Sequence, residues 1–173
     1  MRSGDCVKPL LERRSVRRFE DRPVPLETLL EAVDVARHAP SAYNRQPWEF
    51  ILITRRETLR RLAETAAGGA PLRYAPAGVA VVGDTRVSPH TYVIDCSIAA
   101  TYLWLALHCL GLGAVWIEVY GNERAEELLR VPPGKRLVAL FAVGWPAVRP
   151  RPTPRRSLEE LVHLEEYGKH LEP

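Results

Sequence analysis

Residues 91–113, TYVIDCSIAATYLWLALHCLGLG, decide how the rest of the chain is read. From about Thr91 to Leu110 the pattern is helical and apolar nearly all round. Only Asp95, Ser97, Thr101 and His108 interrupt it. These interruptions argue for a buried helix rather than a membrane span. A helix apolar on every side has to be covered on every side. The rest of a 173-residue chain is little material for that, so a subunit interface is expected. The GLG at 111–113 ends the helix, with Gly111 or Gly113 in the left-handed conformation.

Working outward, Gly78 to Gly83 reads as a short buried strand, and Ala114 to Tyr120 as a second. Asn122 caps a helix through about Arg130, VPPGK is a turn, and Leu137 to Trp145 is a long apolar strand. Upstream, residues 7–14 form a short helix. Pro25 opens another at its first position, where the missing N–H costs nothing. Leu26, Leu29, Leu30 and Val33 carry that helix to about His38. Trp48 to Thr54 reads as a strand. Thr54 and Glu57 have capping-box spacing, so a helix is expected to about Ala67. GGAPLRYAPA, 68–77, is a loop. The tail has prolines at 146, 150, 152 and 154, giving an extended arm over about 146–156. Ser157 and Glu160 form a second capping box. Helices and strands mix without regular βαβ alternation. The expectation is an α+β fold in a single domain over 1–173.

The balance of 24 Lys+Arg against 21 Asp+Glu, net +3, is too small to argue for a nucleic-acid partner. Arginines nonetheless crowd 13–18, 55–61 and 149–156. Cys6, Cys96 and Cys109 have no metal-ligand spacing, which points to a reduced, cytoplasmic protein. The N-terminal MRSGDCVKPLLERR has no apolar core of signal-peptide length.

Two stretches suit an anion. In RRSVRRF, 13–19, forked guanidinium donors surround the hydroxyl of Ser15, the donor set a phosphate dianion takes. The alternative is a solvated basic helix end. In TPRRSLEE, 153–160, Arg155 and Arg156 precede a helix start, or else form a basic tail. Between Pro40 and Pro47 lies a third stretch, SAYNRQ, a polar loop stiffened at both ends. GLGAVW lacks the third glycine of a dinucleotide fingerprint and follows a helix where a strand is required. Histidines 38, 90, 108, 163 and 170 pair with no acid or cysteine at useful spacing, and His108 reads as a core histidine. With no triad, metal box or acid/base pair, any enzyme chemistry falls to a cofactor.

RRSVRRF, APSAYNRQPWEF, GLGAVWIE and GWP…PRRSLEE, in that order over about residues 8–165, together resemble the FMN-dependent nitroreductase family. The resemblance implies an α+β, mostly antiparallel sheet flanked by helices. It also implies an intertwined homodimer with FMN at the interface. NADH or NADPH would reduce nitroaromatic, quinone or related small-molecule acceptors by ping-pong kinetics. Residue by residue, Arg13, Arg14, Ser15 and Arg17 match the family's first FMN segment, which implies that Arg13 and Ser15 hold the phosphate and Arg17 approaches the pyrimidine edge. Pro40, Ser41, Ala42, Asn44 and Gln46 come from the other subunit. Trp116, Ile117, Glu118 and Val119 form a strand whose backbone meets flavin N5. Arg155 and Arg156 are C-terminal phosphate ligands. No side chain need be catalytic, and no metal or nucleic acid is implied. Two positions depart from the pattern: Val119 stands where many members have glycine, and Tyr43 where many have threonine. The segment from Ala67 to Asp84 also lacks the helical insert of larger members. Alternative readings are a flavin-consuming, dehalogenating or dehydrogenating relative, or a flavin-binding protein without turnover.

Overall fold

The structure, a computed structural model, describes residues 7–170; Cys6 lies outside the described residues. Four strands make one antiparallel sheet: β1 (Trp48–Ile53), β2 (Ala77–Asp84), β3 (Gly113–Ile117) and β4 (Lys135–Gly144), in the spatial order β1-β2-β4-β3. The helices are α1 (Lys8–Glu12), α2 (Leu26–Ala36), α3 (Arg56–Ala63), α4 (Tyr92–Cys109), α5 (Glu123–Leu128) and α6 (Leu158–Leu161). This is an α+β fold.

The central strands β2 and β4 read as unbroken apolar runs because helices cover both faces. Side chains alternate along a strand. Val79, Val81, Phe141 and Val143 therefore meet α2 and α4 through Leu29, Ala32, Leu103 and Leu107. Ala80, Val82, Leu140 and Ala142 meet α3 and α5 through Leu59, Leu62 and Ala125. The register slips between Val81 and Val82, opposite Val138. At this bulge Val138 and Ala139 both join the α4 side. Fully burying a leucine such as Leu103 or Leu107 (0% exposed) contributes roughly 2 kcal/mol.

α4 is covered along one stripe only. Asp95, Cys96, Ala99, Ala100, Leu103, Ala106 and Leu107 face inward at helical spacing. Ile94 (61% exposed) and Tyr102 (38%) lie on the outer stripe, with Ile98 and Leu105 half-buried. By length and composition α4 could cross a membrane, but its inner stripe packs on the sheet.

Several local expectations shift. Pro25 sits in the N-cap slot, outside the helix, with φ −59 and ψ 140. The Thr54–Glu57 capping box does not form. α3 starts at Arg56 with Arg55 as N-cap and no side-chain cap, and Arg56 is held by an ion pair to Asp21. α3 also stops at Ala63, short of Ala67. The 68–77 loop contains a 3-10 turn, Ala70–Arg73. α1 shrinks to five residues. Of the two glycines after α4, Gly111 takes the left-handed conformation (φ +81). Gly113 instead begins β3, where a Cβ would meet the Val16 side chain at 2.6–2.8 Å. β3 ends at Ile117, so Glu118 and Val119 have left the strand. The Asn122 cap forms as expected, its side chain accepting the Ala125 N–H. At Ser157 half of the expected box forms: the hydroxyl accepts the Glu160 N–H, while the Glu160 carboxylate pairs with Arg156 instead.

Candidate functional site

After α1 the chain turns extended and runs beside the start of β3. Ser15 bridges to Ala114, and the Val16 N–H donates to the Ala114 carbonyl at 3.0 Å. The same carbonyl accepts from Trp104 Nε1 at 3.1 Å. Trp104 is thereby fixed, and the Arg13 guanidinium lies 3.9 Å over its ring. Arg14 Nη1 donates to the carbonyls of Leu11 (2.6 Å) and Arg13 (2.9 Å). Arg13 Nη1 and Arg14 Nε are buried with no hydrogen-bond partner. Burial lowers the Arg13 pKa from its usual value, and repulsion from Arg14 and then Arg155 lowers it further. Segments some 140 residues apart in sequence thus bring like charges together with donors unsatisfied. Buried polar groups normally have partners, and one dianion would satisfy these donors and offset the repulsion. The residues fit a phosphate.

A cavity of about 340 Å³ opens here, with Arg13, Arg14, Trp104, His108 and Arg149 among its lining residues. His108 and Arg149 are additions that sequence reading missed. His108 is not a core histidine: it is half-buried on the cavity wall. Burial lowers its pKa, opposed by Glu12 and reinforced by Arg13, Arg149 and Arg14. Arg17 is exposed and does not line the cavity. Arg155 is anchored through Nη1 to Thr153 Oγ1 at 2.6 Å. Arg156 pairs with Glu160 at 3.2 Å.

The loop at 40–46 is elsewhere; none of its residues lines the arginine cavity. Tyr43, Asn44 and Gln46 have φ of 54, 54 and 48, a conformation rare for any residue but glycine. Ser41 Oγ accepts the Gln46 N–H at 3.0 Å, and the Ala42 N–H donates to Asp95 at 3.0 Å. Tyr43 is 90% exposed.

The third segment divides by side-chain direction. Trp116 packs edge-on to Phe141, with ring centroids 5.2 Å apart, in a cluster shared with Trp104. Ile117 and Val119 point into the opposite core, each 2% exposed. Glu118 is exposed and lines a shallow depression running to Arg124. Among the described residues, neither the Glu118 nor the Val119 N–H donates to a backbone acceptor. A larger cavity, about 490 Å³, lies by α3 between Phe19, Arg56, Arg60 and Tyr74. Its charges are largely matched internally, Arg56 by Asp21 and Arg73 by Glu64.

This chain belongs to the Nitroreductase family, whose model matches residues 10–145. It is 36% identical over 149 residues to an Archaeoglobus fulgidus protein whose name carries both NADH dehydrogenase and NAD(P)H nitroreductase. That match covers 82% of this chain and 86% of the relative. A crystal structure from Parabacteroides distasonis, bearing the same pair of names, superposes with a TM-score of 0.91 at 32% identity. It covers 95% of this chain and 100% of that one. An FMN-dependent nitroreductase from Clostridium difficile superposes with a TM-score of 0.86 at 28% identity, covering 93% and 99%. The chain is an oxidoreductase of this family.

Proposed function

We propose that this chain uses FMN and NADH or NADPH to reduce nitroaromatic, quinone or related acceptors. The observation that carries the reading is the pair of buried, unpartnered nitrogens on Arg13 and Arg14, with Arg155 close enough to repel Arg13. When bound, FMN would supply the redox chemistry that links the nicotinamide to the acceptor. Arg13, Arg14, Ser15 and Arg155 hold its phosphate. Arg17 stabilises negative charge at the pyrimidine edge, an electrostatic role. The backbone N–H groups of Glu118 and Val119 would serve as donors to the flavin. No side chain has to move a proton.

The active unit in this reading is a homodimer. The outer stripe of α4 supports it, as do α6 and the residues after it, where Leu158, Leu161, Leu164 and Tyr167 are 51–94% exposed. The loop of Pro40, Ser41, Ala42, Asn44 and Gln46 completes the partner's site, which explains why it lies apart from the arginines of its own chain. Tyr43, at the tip of that loop, narrows the entrance; Val119, buried, does not.

The test is a visible spectrum of the purified protein followed by anaerobic titration with NADH and NADPH. Flavin absorbance bleached by one or both donors supports the reading. A protein that takes up no FMN overturns it.

A further inference from the structure

Asp95 is 3% exposed and stands in the first turn of α4. Its Oδ2 accepts from the Ser88 hydroxyl at 3.1 Å and the Thr91 hydroxyl at 2.9 Å. Its Oδ1 reaches 53 positions back along the chain and accepts the Ala42 N–H at 3.0 Å. Ala42 begins the turn that continues through left-handed Tyr43, Asn44 and Gln46. Backbone of that kind persists only where the surroundings over-determine it.

The loop's other hydrogen bonds are internal. The Asn44 N–H donates to the Ser41 carbonyl at 3.0 Å, the Arg45 N–H to the Ala42 carbonyl at 3.1 Å, and the Gln46 N–H to Ser41 Oγ at 3.0 Å. Among the described residues, Ala42–Asp95 is the hydrogen bond that ties residues 41–46 to another element. A buried acceptor already oriented by two hydroxyls holds that N–H without reorganising. Asp95 also sits between Ile94 on the outer stripe of α4 and Cys96 on the inner one. The helix that presents the apolar outer face therefore also fixes the loop.

We propose that Asp95 is a positioning residue: by accepting the Ala42 N–H it fixes the 41–46 loop in the strained geometry the flavin wall requires. This rests on the reading of that loop as part of the partner's FMN site. Neither Asp95 nor its hydroxyl partners touch the flavin in this reading.

Three variants test it: Asp95→Ala, Asp95→Asn and Ala42→Pro. The asparagine keeps an oxygen for the Ala42 N–H. The proline removes that N–H from the loop side, leaving the core intact should Asp95→Ala fail to fold. Ser41, at φ −142 and ψ 157, already has the conformation a following proline requires. The readouts are amide hydrogen exchange at Asn44, Arg45 and Gln46, and FMN affinity by equilibrium dialysis. In Asp95→Ala and Ala42→Pro, exchange at these amides should rise and FMN affinity fall, each by roughly tenfold. Asp95→Asn should stay within about threefold of wild type for both, since the acceptor remains. Unchanged exchange in both disruptive variants overturns the clamp, whatever the flavin does. Faster exchange with wild-type FMN affinity overturns the positioning role while leaving the clamp standing. Wild-type protein that takes up no FMN overturns the parent reading, and the positioning role with it, before any variant is made.

Discussion

The Arg13 guanidinium lies 3.9 Å over the Trp104 ring, and the Trp104 Nε1 is tied to the carbonyl of Ala114. One hydrogen bond to a β-strand thus fixes the platform on which a proposed phosphate ligand rests. A cation over an indole is worth about 0.5–2 kcal/mol. Trp104→Leu should weaken FMN binding by a corresponding factor of roughly 2 to 30. Trp104→Phe, which keeps a ring but loses the donor, should fall between. Unchanged affinity in the leucine variant, measured by dialysis on folded protein, would show that the stack is incidental.

Acid should remove part of the stability through Asp84. Hydrogen bonds from the Arg86 side chain, then from the Arg86 and Val87 backbone N–H groups, lower its pKa to about 2. In an unfolded chain an aspartate titrates near 3.9, roughly. A lowered folded pKa means the stabilisation is present above about pH 4 and is lost as the pH falls toward 2. Asp84→Asn lacks this increment, so its urea midpoint should fall less steeply than wild type across that window. Parallel pH profiles would contradict the assignment.

Assembly is tested on the outer stripe of α4. Ile94→Glu, at a position 61% exposed, should leave the fold intact but yield monomers by light scattering and lose FMN with the dimer. Ala99→Glu, on the inner stripe, points into the core at 0% exposure and should unfold the chain, since it buries an unpaired charge. An Ile94→Glu protein that stays dimeric with full FMN would place the interface elsewhere.

Glu118 and Val119 should respond oppositely to intuition. Glu118→Gln should keep the rate of flavin reduction by NADH within about threefold. A general base would lose roughly 100-fold or more. Val119→Gly should not widen the range of acceptors, because the side chain is buried against the α3 side. It should instead cost about 2 kcal/mol or more in stability, visible as a lower Tm.

Sequence reading succeeds where apolar pattern and fold agree. β2, β4 and α4 are long apolar runs, and Asn122 and Ser157 are caps that act within one turn. It fails where distant residues decide. The start of α3 coincides with the ion pair of Arg56 to Asp21, which no local spacing reveals. An apolar helix conceals which of its residues faces a cavity, so by sequence His108 reads as a core histidine. Asp95 registers only as an interruption, because its partner Ala42 lies on another element. Arg149 carries no motif and joins the site only through the path of the tail. The residues alone mark the 13–17 and 155 segments only as separate anion sites; their meeting on one phosphate follows from the family resemblance, not from any local spacing. Arg156, equivalent to Arg155 by composition, is set apart by its pairing with Glu160.

The most direct test of the account is a double-mutant cycle on FMN affinity with Arg13→Ala, Arg155→Ala and the double variant, measured by equilibrium dialysis. Each single change should weaken binding by about 1.5–3 kcal/mol, the scale of a hydrogen bond to a charged group. The double variant should depart from the sum of the two, because both residues meet one ligand group. Wild-type affinity in both single variants would contradict a phosphate site shared by the two segments.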